Sequence, residues 1–173
     1  QQGLWQGAVF WGIAVSLAIY ATGAISGAHI NPAITVAQMI LRGFPARKVP
    51  LYIVSQFAGA VLAAAVLFAM YSNIIRDFES AHGIVRGAPG SELSAMVYGE
   101  YFPNPDVARS RHWSDESVSH VQAMVAEAVG TACLAFFVFA VTDIRNACGP
   151  GSRLLPLCIG LGVSIIISVI APL

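Results

Sequence analysis

An asparagine followed by a proline opens a short helix within an otherwise apolar stretch. These two residues have the chemistry best suited to a site that binds a solute by hydrogen bonds. In the segment 26–33, SGAHINPA, Asn31 is a favoured helix N-cap and Pro32 a favoured first helical residue. The Asn31 side-chain oxygen can accept from the backbone N–H of Ala33 or Ile34, which leaves the amide N–H groups free to donate. The positive end of the helix dipole lies beside these donors and opposes cations, protons included. This arrangement suits a neutral solute that carries hydroxyl groups.

The residues that precede Asn31 are expected to supply hydrogen-bond acceptors. We predict that the backbone after Gly27 is extended from Ala28 to Ile30, so that its carbonyl groups bond to no helix or strand. Such carbonyls form a row of acceptors that leads to Asn31. His29 is expected to shape the loop rather than to bind a ligand. The predicted pore-lining residues of this segment are Gly27, Ala28, His29, Ile30 and Asn31, and the predicted supporting residues are Pro32 and Ala33.

The depth of this segment follows from the absence of charge before Arg42. A chain that stops being helical at membrane depth must satisfy its freed backbone groups with protein or with water, because hydrocarbon offers no hydrogen-bond partner. The segment is therefore predicted to line a pore. The alternative is a proline-kinked spanning helix in which Asn31 only meets a neighbouring helix.

Composition places the whole chain in a membrane. Charged residues make up 10% of the 173 residues, against about 25% in an ordinary soluble domain, and the mean hydropathy is +0.71. Nine Lys and Arg balance nine Asp and Glu, so no basic field is present to attract nucleic acid. The sequence contains no enzyme motif and no grouping with metal-ligand spacing. We expect a lipid bilayer as partner, and no metal, cofactor or nucleic acid.

Uncharged runs predict four membrane-spanning helices, because about 20 apolar residues at about 1.5 Å each cross a hydrocarbon core of about 30 Å. The predicted spans are 8–24, 49–75, 117–142 and 154–173. The segment 32–41 measures only about 15 Å as a helix, so it is predicted to enter the membrane and turn back. The chain is thus predicted to be an all-α membrane protein with one re-entrant half-helix.

Charge bias orients these spans, since Lys and Arg in short loops stay on the cytoplasmic side. The loops 42–48 and 143–153 together hold five basic residues and one acidic residue, whereas the long segment 76–116 holds four basic and seven acidic. We expect the two short loops to be cytoplasmic and the long one extracellular. Residue 1 then lies outside, so a protein that begins in the cytoplasm is expected to carry an odd number of helices before it.

An internal repeat relates the two ends of the chain. With an offset of 148, residues 11–19 align with residues 159–167. Four of the nine positions are identical, namely Gly12 and Gly160, Val15 and Val163, Ser16 and Ser164, and Ile19 and Ile167. The first copy enters its helix from outside and the second from inside, as in an inverted-topology repeat with a site at the midplane. The same offset predicts a second re-entrant asparagine at position 179, beyond Leu173.

These features resemble those of a known family. The segment 26–33, SGAHINPA, resembles the first signature loop of the aquaporin, or major intrinsic protein, family, and the spacing of the spans agrees over all 173 residues. The long segment 76–116 is most similar to the glycerol-facilitator branch. The resemblance implies an aquaporin-like inverted-repeat helical bundle, here truncated to the second to fifth of six membrane helices and the first half-helix. The first helix, the second half-helix and the sixth helix are expected to be absent.

The resemblance also implies roles for three residues outside the signature loop. Trp11 corresponds to an aromatic wall of the narrow filter in glycerol facilitators, although an interfacial tryptophan remains the alternative. Ile167 stands where water channels carry histidine and many glycerol facilitators carry glycine. It matches neither, so a strict water filter is disfavoured while the pore width and the solute size stay open. Glu127, inside the third span, corresponds to a glutamate that supports a re-entrant loop by accepting hydrogen bonds.

The function implied is a passive channel for glycerol, other small neutral polyols and water that excludes ions and protons. A homotetramer in the plasma membrane, with one pore per subunit, is also implied. Alternatives are a water-selective aquaporin, a proton-coupled transporter that uses Glu127, and a non-conducting membrane scaffold.

Overall fold

The computed structural model describes residues 3–173, apart from the side chain of Asp115, and the regular structure in this range is helical throughout. Two short 3₁₀ turns, Ala46–Lys48 and Asp115–Ser117, accompany the α-helices. The helices are α1 Leu4–Ser26, α2 Pro32–Arg42, α3 Val49–His82, α4 Glu92–Ala95, α5 Pro105–Arg111, α6 His120–Val141 and α7 Gly151–Ile170. Four of them are long and apolar enough to cross a membrane, α3 together with the turn before it. The predicted all-α membrane fold is therefore confirmed.

The third helix is longer than its uncharged run. Prediction ended this span at residue 75, but α3 continues to His82 and ends at Gly83, whose φ of 65° is left-handed. Its 34 residues measure about 51 Å, more than the hydrocarbon core of about 30 Å. The charged residues after position 75 did not stop the helix because no proline or glycine occurs between residue 75 and Gly83. The first part of the segment 76–116 is therefore helical.

The rest of that segment is folded and attached to the long helices. Glu79, only 7% exposed, accepts the Nε–H of Arg86 with both carboxylate oxygens, at 2.8 and 2.9 Å. Asn104 is buried and caps α5 by accepting from two backbone N–H groups. Its own backbone N–H donates to the carbonyl oxygen of Leu173 at 3.1 Å. The outer segment is thus tied to the end of α3 and to the end of α7.

Helices α1 and α7 cross at two glycines that the repeat aligns. A methyl group on Gly12 would overlap the Gly160 carbonyl oxygen and Ser164 Oγ, and one on Gly160 would overlap the Gly12 carbonyl oxygen and Ser16 Oγ. Each serine hydroxyl donates back to the glycine carbonyl four residues earlier, at 2.9 Å in α1 and 3.3 Å in α7. Small residues at this spacing let two helix backbones approach closely in a membrane. The inverted repeat therefore has a physical counterpart in the helix contact.

The half-helix α2 packs against α3 and α6. At its end, Arg42 donates to the carbonyl oxygen of Phe139 in the last turn of α6 at 3.0 Å, and to that of the C-cap residue Thr142 at 3.4 Å. The guanidinium also lies over the Phe139 ring, 5.2 Å from its centroid. A cation is favoured at a helix C-terminus because the unpaired carbonyls carry partial negative charge. Arg42 thereby joins the ends of α2 and α6.

Candidate functional site

The N-terminus of α2 has the cap predicted from the sequence. Asn31 Oδ1 accepts from the backbone N–H of Ala33 at 2.7 Å and of Ile34 at 3.3 Å, and Pro32 is the first helical residue. The helix ends at Gly43, whose φ is 69°. Because Oδ1 takes both bonds, the Asn31 Nδ2 group stays available as a donor, and it bonds to no other residue in the described range. The half-helix therefore presents an amide N–H at its positive end.

The turn before Asn31 differs from the prediction. We predicted an extended backbone for Ala28 to Ile30, but φ is 74° at Gly27, 48° at Ala28 and 58° at Ile30. The Asn31 N–H donates to the His29 carbonyl oxygen at 2.6 Å, which closes a three-residue turn around Ile30. The extended prediction is wrong because the chain must reverse from α1 into α2 within a few residues. Left-handed backbone costs about 1–3 kcal/mol per non-glycine residue, and such strain clusters at functional sites.

A buried threonine holds this strained turn. Thr35 is 0% exposed, and its hydroxyl donates to the Asn31 carbonyl oxygen at 3.1 Å. The hydroxyl oxygen of Thr35 also accepts from Gln56 Nε2 at 3.1 Å and lies 3.2 Å from His29 Nδ1. Since the hydroxyl has one proton and gives it to Asn31, His29 Nδ1 must be the donor of its pair. The geometry thus assigns the Nδ1–H tautomer to His29.

Two aromatic rings complete the support of the turn. The His29 ring contacts Phe44 and Tyr52, with centroids 4.7 and 5.0 Å away, and these two rings contact each other at 4.9 Å. The Tyr52 hydroxyl donates to the Ser26 carbonyl oxygen at the end of α1, at 2.8 Å. His29 thus contacts two rings beside the turn, and its loop-shaping role stays a prediction. Three residues around the turn were not predicted from the sequence, namely Thr35, Phe44 and Tyr52. Only Thr35 had a spacing that could have indicated its role, because it lies four residues after Asn31, about one helical turn.

A cavity of about 390 Å³ lies between α1, α2, α6 and α7. It is lined by the predicted site residues Trp11, Gly27 to Asn31, Glu127 and Ile167. Pro32 and Ala33, predicted to support the turn, form the first turn of α2. The structure thus brings the predicted residues of four separate chain segments around one space.

The inverted repeat supplies lining residues of this cavity from both α1 and α7. Val15 and Ile19 line it from α1, and their repeat mates Val163 and Ile167 line it from α7. The other two identical pairs, the glycines and serines, form the helix crossing instead. The repeat therefore accounts for both the contact between α1 and α7 and the aliphatic side chains that each helix contributes to the cavity wall.

Two carboxylates line the cavity, and one of them was not predicted. Glu127 belongs to α6 and is in no hydrogen bond with the residues that the structure describes, so its supporting role stays a prediction. Glu100 comes from the outer segment between α4 and α5. Burial raises the pKa of the Glu100 carboxyl, and the negative charge of Glu127 raises it further. Sequence spacing gave no sign of this pair, because the two residues are brought together only by the fold.

Comparison with known proteins agrees with this architecture. The family model "Major intrinsic protein" matches residues 1–173. The chain is 41% identical over 171 residues to the glycerol uptake facilitator protein of Pseudomonas aeruginosa, covering 99% of this chain and 57% of the relative. It is 42% identical to the Escherichia coli (strain K12) protein of the same name, again over 99% of this chain and 56% of the relative.

A relative with a different printed name is also similar. The propanediol uptake facilitator PduF of Salmonella typhimurium is 38% identical over 171 residues, covering 99% of this chain and 60% of the relative. The chain thus spans somewhat more than half the length of the curated relatives it matches. Since the family model matches the chain from end to end and the apolar helices suit a bilayer, the protein is an integral membrane protein that belongs to the major intrinsic protein family.

Proposed function

We propose that this protein is a passive membrane channel for glycerol, other small neutral polyols and water, and that it is not an enzyme. The observation that carries the proposal is the cap at Asn31, which leaves an amide donor at the start of a half-helix beside a cavity. A solute hydroxyl that loses water in the cavity can accept a hydrogen bond from this donor. The remaining lining provides the other contacts that a polyol needs.

The lining of the cavity combines polar and apolar surfaces. Trp11 and the aliphatic side chains of α1 and α7 offer an apolar surface to the carbon chain of a polyol. Donors and acceptors on the other walls replace the water around its hydroxyl groups. Cations are opposed by the positive end of the α2 dipole, which lies at the same place as the Asn31 donor. These features favour neutral hydroxylated solutes over ions and protons.

The names of the relatives support the choice of solute. Glycerol and propanediol, the solutes in those names, are three-carbon polyols that differ by one hydroxyl group. Ile167 lines the same cavity as Trp11 and has a branched side chain, so we propose that it narrows the passage and limits the solute to small polyols. A water-selective channel is the alternative that a narrower passage favours.

A proton-coupled transporter is a second candidate, and one observation favours it. Glu100 and Glu127 place two carboxylates in one cavity, where a proton can be held between like charges. Coupling of this kind makes uptake depend on a pH gradient, whereas a passive channel follows the solute gradient alone. A non-conducting scaffold is expected to do neither.

We further propose the orientation expected from charge bias, in the plasma membrane and as a homotetramer with one pore per subunit. The loops 42–48 and 143–153 are proposed to be cytoplasmic and the segment 76–116 extracellular. The contact of Arg42 with the end of α6 supports a common side for the two short loops, because it joins the residues from which both loops start.

The test is solute flux in proteoliposomes followed by stopped-flow light scattering. We expect glycerol to enter down its gradient faster than in protein-free liposomes. This flux should not depend on a proton gradient and should occur without ion leakage. Water flux without glycerol flux would identify a water-selective channel. Uptake that saturates and follows a pH gradient would identify a transporter, and flux equal to that of empty liposomes would identify a scaffold.

A further inference from the structure

The backbone that leads to Asn31 is strained and lines the cavity. Residues 27–30, called the arm below, run from the end of α1 to the cap of α2, and all of them are part of the cavity lining. Gly27, Ala28 and Ile30 have positive φ values. Left-handed backbone at a residue other than glycine persists only where the surrounding contacts determine it. The contacts that hold the arm therefore decide the shape of this wall of the cavity.

Both ends of the arm are held by one face of α3. At the first end, the Tyr52 hydroxyl donates to the carbonyl oxygen of Ser26, the last residue of α1, at 2.8 Å. At the other end, Gln56 donates to the Thr35 hydroxyl at 3.1 Å, and this hydroxyl donates to the Asn31 carbonyl oxygen at 3.1 Å. Tyr52 and Gln56 lie four residues apart on α3 and therefore share a face of the helix. The position of α3 thus fixes where the arm starts and where it ends.

Tyr52 also contacts the arm through its ring. The ring lies against the ring of His29, with centroids 5.0 Å apart, and Phe44 contacts both rings at 4.9 and 4.7 Å. The described residues that line the cavity include the whole arm but not Tyr52. Any effect of Tyr52 on a solute must therefore act through the arm.

We propose that Tyr52 is a positioning residue, which fixes the arm in the conformation that lets a polyol pass and thereby sets the preference of the channel for a polyol over water. The inference rests on the proposed channel function and adds to it a residue that the solute does not touch. A polyol must meet several hydrogen-bond partners in the cavity at once, whereas a water molecule needs fewer and adjusts to a displaced wall. Displacement of the arm therefore hinders a polyol more than it hinders water.

The experiment compares wild type with Tyr52→Phe, Tyr52→Leu and a protein in which para-aminophenylalanine replaces Tyr52. Phenylalanine removes only the hydroxyl, leucine also removes the ring, and the amino group keeps a donor at the same position of the ring. Tyr71→Phe is the matched control, because Tyr71 belongs to the same helix, is 42% exposed and does not line the cavity. Glycerol and water permeabilities per monomer are measured by stopped-flow light scattering in the same proteoliposomes, and thermal unfolding is measured for each protein.

An uncharged hydrogen bond favours the bonded state about fivefold, which corresponds to about 1 kcal/mol. Because the arm leaves its strained conformation more often without this bond, we expect Tyr52→Phe to lower the ratio of glycerol to water permeability by about two- to fivefold. Tyr52→Leu should lower the ratio further, whereas the para-amino protein and Tyr71→Phe should keep the wild-type ratio. A residue that only stabilises the fold would lower the melting temperature and both permeabilities equally, without changing their ratio.

The outcomes separate this inference from the proposed function. A wild type that conducts no glycerol would overturn both. A wild type that conducts glycerol, with the same permeability ratio in Tyr52→Phe, would overturn the role of Tyr52 alone, and so would an equal fall of the ratio in Tyr71→Phe. If Tyr52→Phe does not reach the membrane, the para-amino protein decides. A wild-type ratio in that protein supports the inference, and a ratio well below it contradicts the inference, because the donor is still present.

Discussion

Gly12 and Gly160 face each other where α1 and α7 cross, and each leaves room for the carbonyl oxygen of the other. The repeat in the sequence aligns the same two residues. Any side chain at either position would separate the two helices that carry the aliphatic walls of the cavity. The contact therefore couples the stability of the bundle to the shape of the candidate pore.

Gly12→Ala and Gly160→Ala are expected to destabilise the protein by about 1–3 kcal/mol, the usual cost of overpacking a close contact. The control is Gly59→Ala in α3, where a Cβ would meet nothing within 4 Å and alanine should instead favour the helix by about 1 kcal/mol. Thermal unfolding in detergent measures all three. Equal melting temperatures for Gly12→Ala and Gly59→Ala would mean that the helices do not cross at these glycines.

The variant Asn31→Asp distinguishes the role of Asn31 as a helix cap from its role as a hydrogen-bond donor to the solute. Aspartate keeps an oxygen that accepts from Ala33 and Ile34, so stability should change little, but it has no amide N–H to offer a solute. We expect glycerol flux to fall at least tenfold with the protein still folded. Asn31→Leu removes the cap as well and should also lose about 1 kcal/mol of stability.

The measurement is glycerol permeability per monomer in proteoliposomes, together with thermal unfolding of the same samples. Wild-type glycerol flux in Asn31→Asp would mean that the asparagine only caps the helix. If Asn31→Asp melts at as low a temperature as Asn31→Leu, then aspartate does not preserve the hydrogen bonds of the cap.

Thr35→Val tests the buried network beneath the turn. Valine has nearly the shape of threonine, but it removes the hydroxyl that Gln56 Nε2 and His29 Nδ1 share as a partner, while the Asn31 carbonyl keeps the backbone N–H of residue 35 as a donor. Leaving buried polar groups unsatisfied costs about 1–3 kcal/mol. We expect Thr35→Val to lower the melting temperature and the glycerol flux together, whereas Thr35→Ser keeps the hydroxyl and should lose less of both. A flux unchanged in Thr35→Val would separate the network from conduction.

One ion pair in the loop between α6 and α7 should make the stability of the protein depend on pH in the acid range. Arg145 donates to both oxygens of Asp143, at 3.1 and 2.8 Å, and these hydrogen bonds hold the Asp143 pKa well below its usual range. A carboxyl whose pKa is lower in the folded state contributes stability above its unfolded pKa of about 3.9 and loses it as the pH falls towards the folded value. Because the pair is exposed, the contribution is small.

Unfolding midpoints of wild type and Asp143→Asn measured from pH 6 to pH 2 check this expectation. The wild type should be slightly the more stable protein above pH 4, and the difference should shrink as the pH is lowered further. A difference that stays constant across this range would contradict a role for ionised Asp143.

The half-helix could be predicted from the sequence because its signals are local. Asn31 and Pro32 mark its start and Gly43 its end, and each acts through its own backbone conformation or side chain. The turn before it could not be predicted, because the φ values of Ala28 and Ile30 are imposed by the reversal between α1 and α2. Local preference favours an extended backbone for such residues.

The end of α3 and the segment after it could not be predicted fully, because they depend on contacts between residues that are far apart in the sequence. Charge alone ended the predicted third span at residue 75, whereas the helix persists to His82 for lack of a breaker. Glu100 lines the cavity, and Asn104 in the same outer segment bonds to Leu173, which follows α7 and is far along the chain. Pairs of this kind need homologous sequences or a structure to be found.

At the crossing of α1 and α7, the residues that set the width of the passage are different from those that a solute touches. On each helix the crossing pair and the wall pair alternate, with Gly12 and Ser16 at the contact and Val15 and Ile19 at the cavity. How closely the glycines approach thus decides how far the walls stand apart. Selection for a larger or smaller solute can therefore act on residues that never meet it, and two channels with identical linings can still differ in bore.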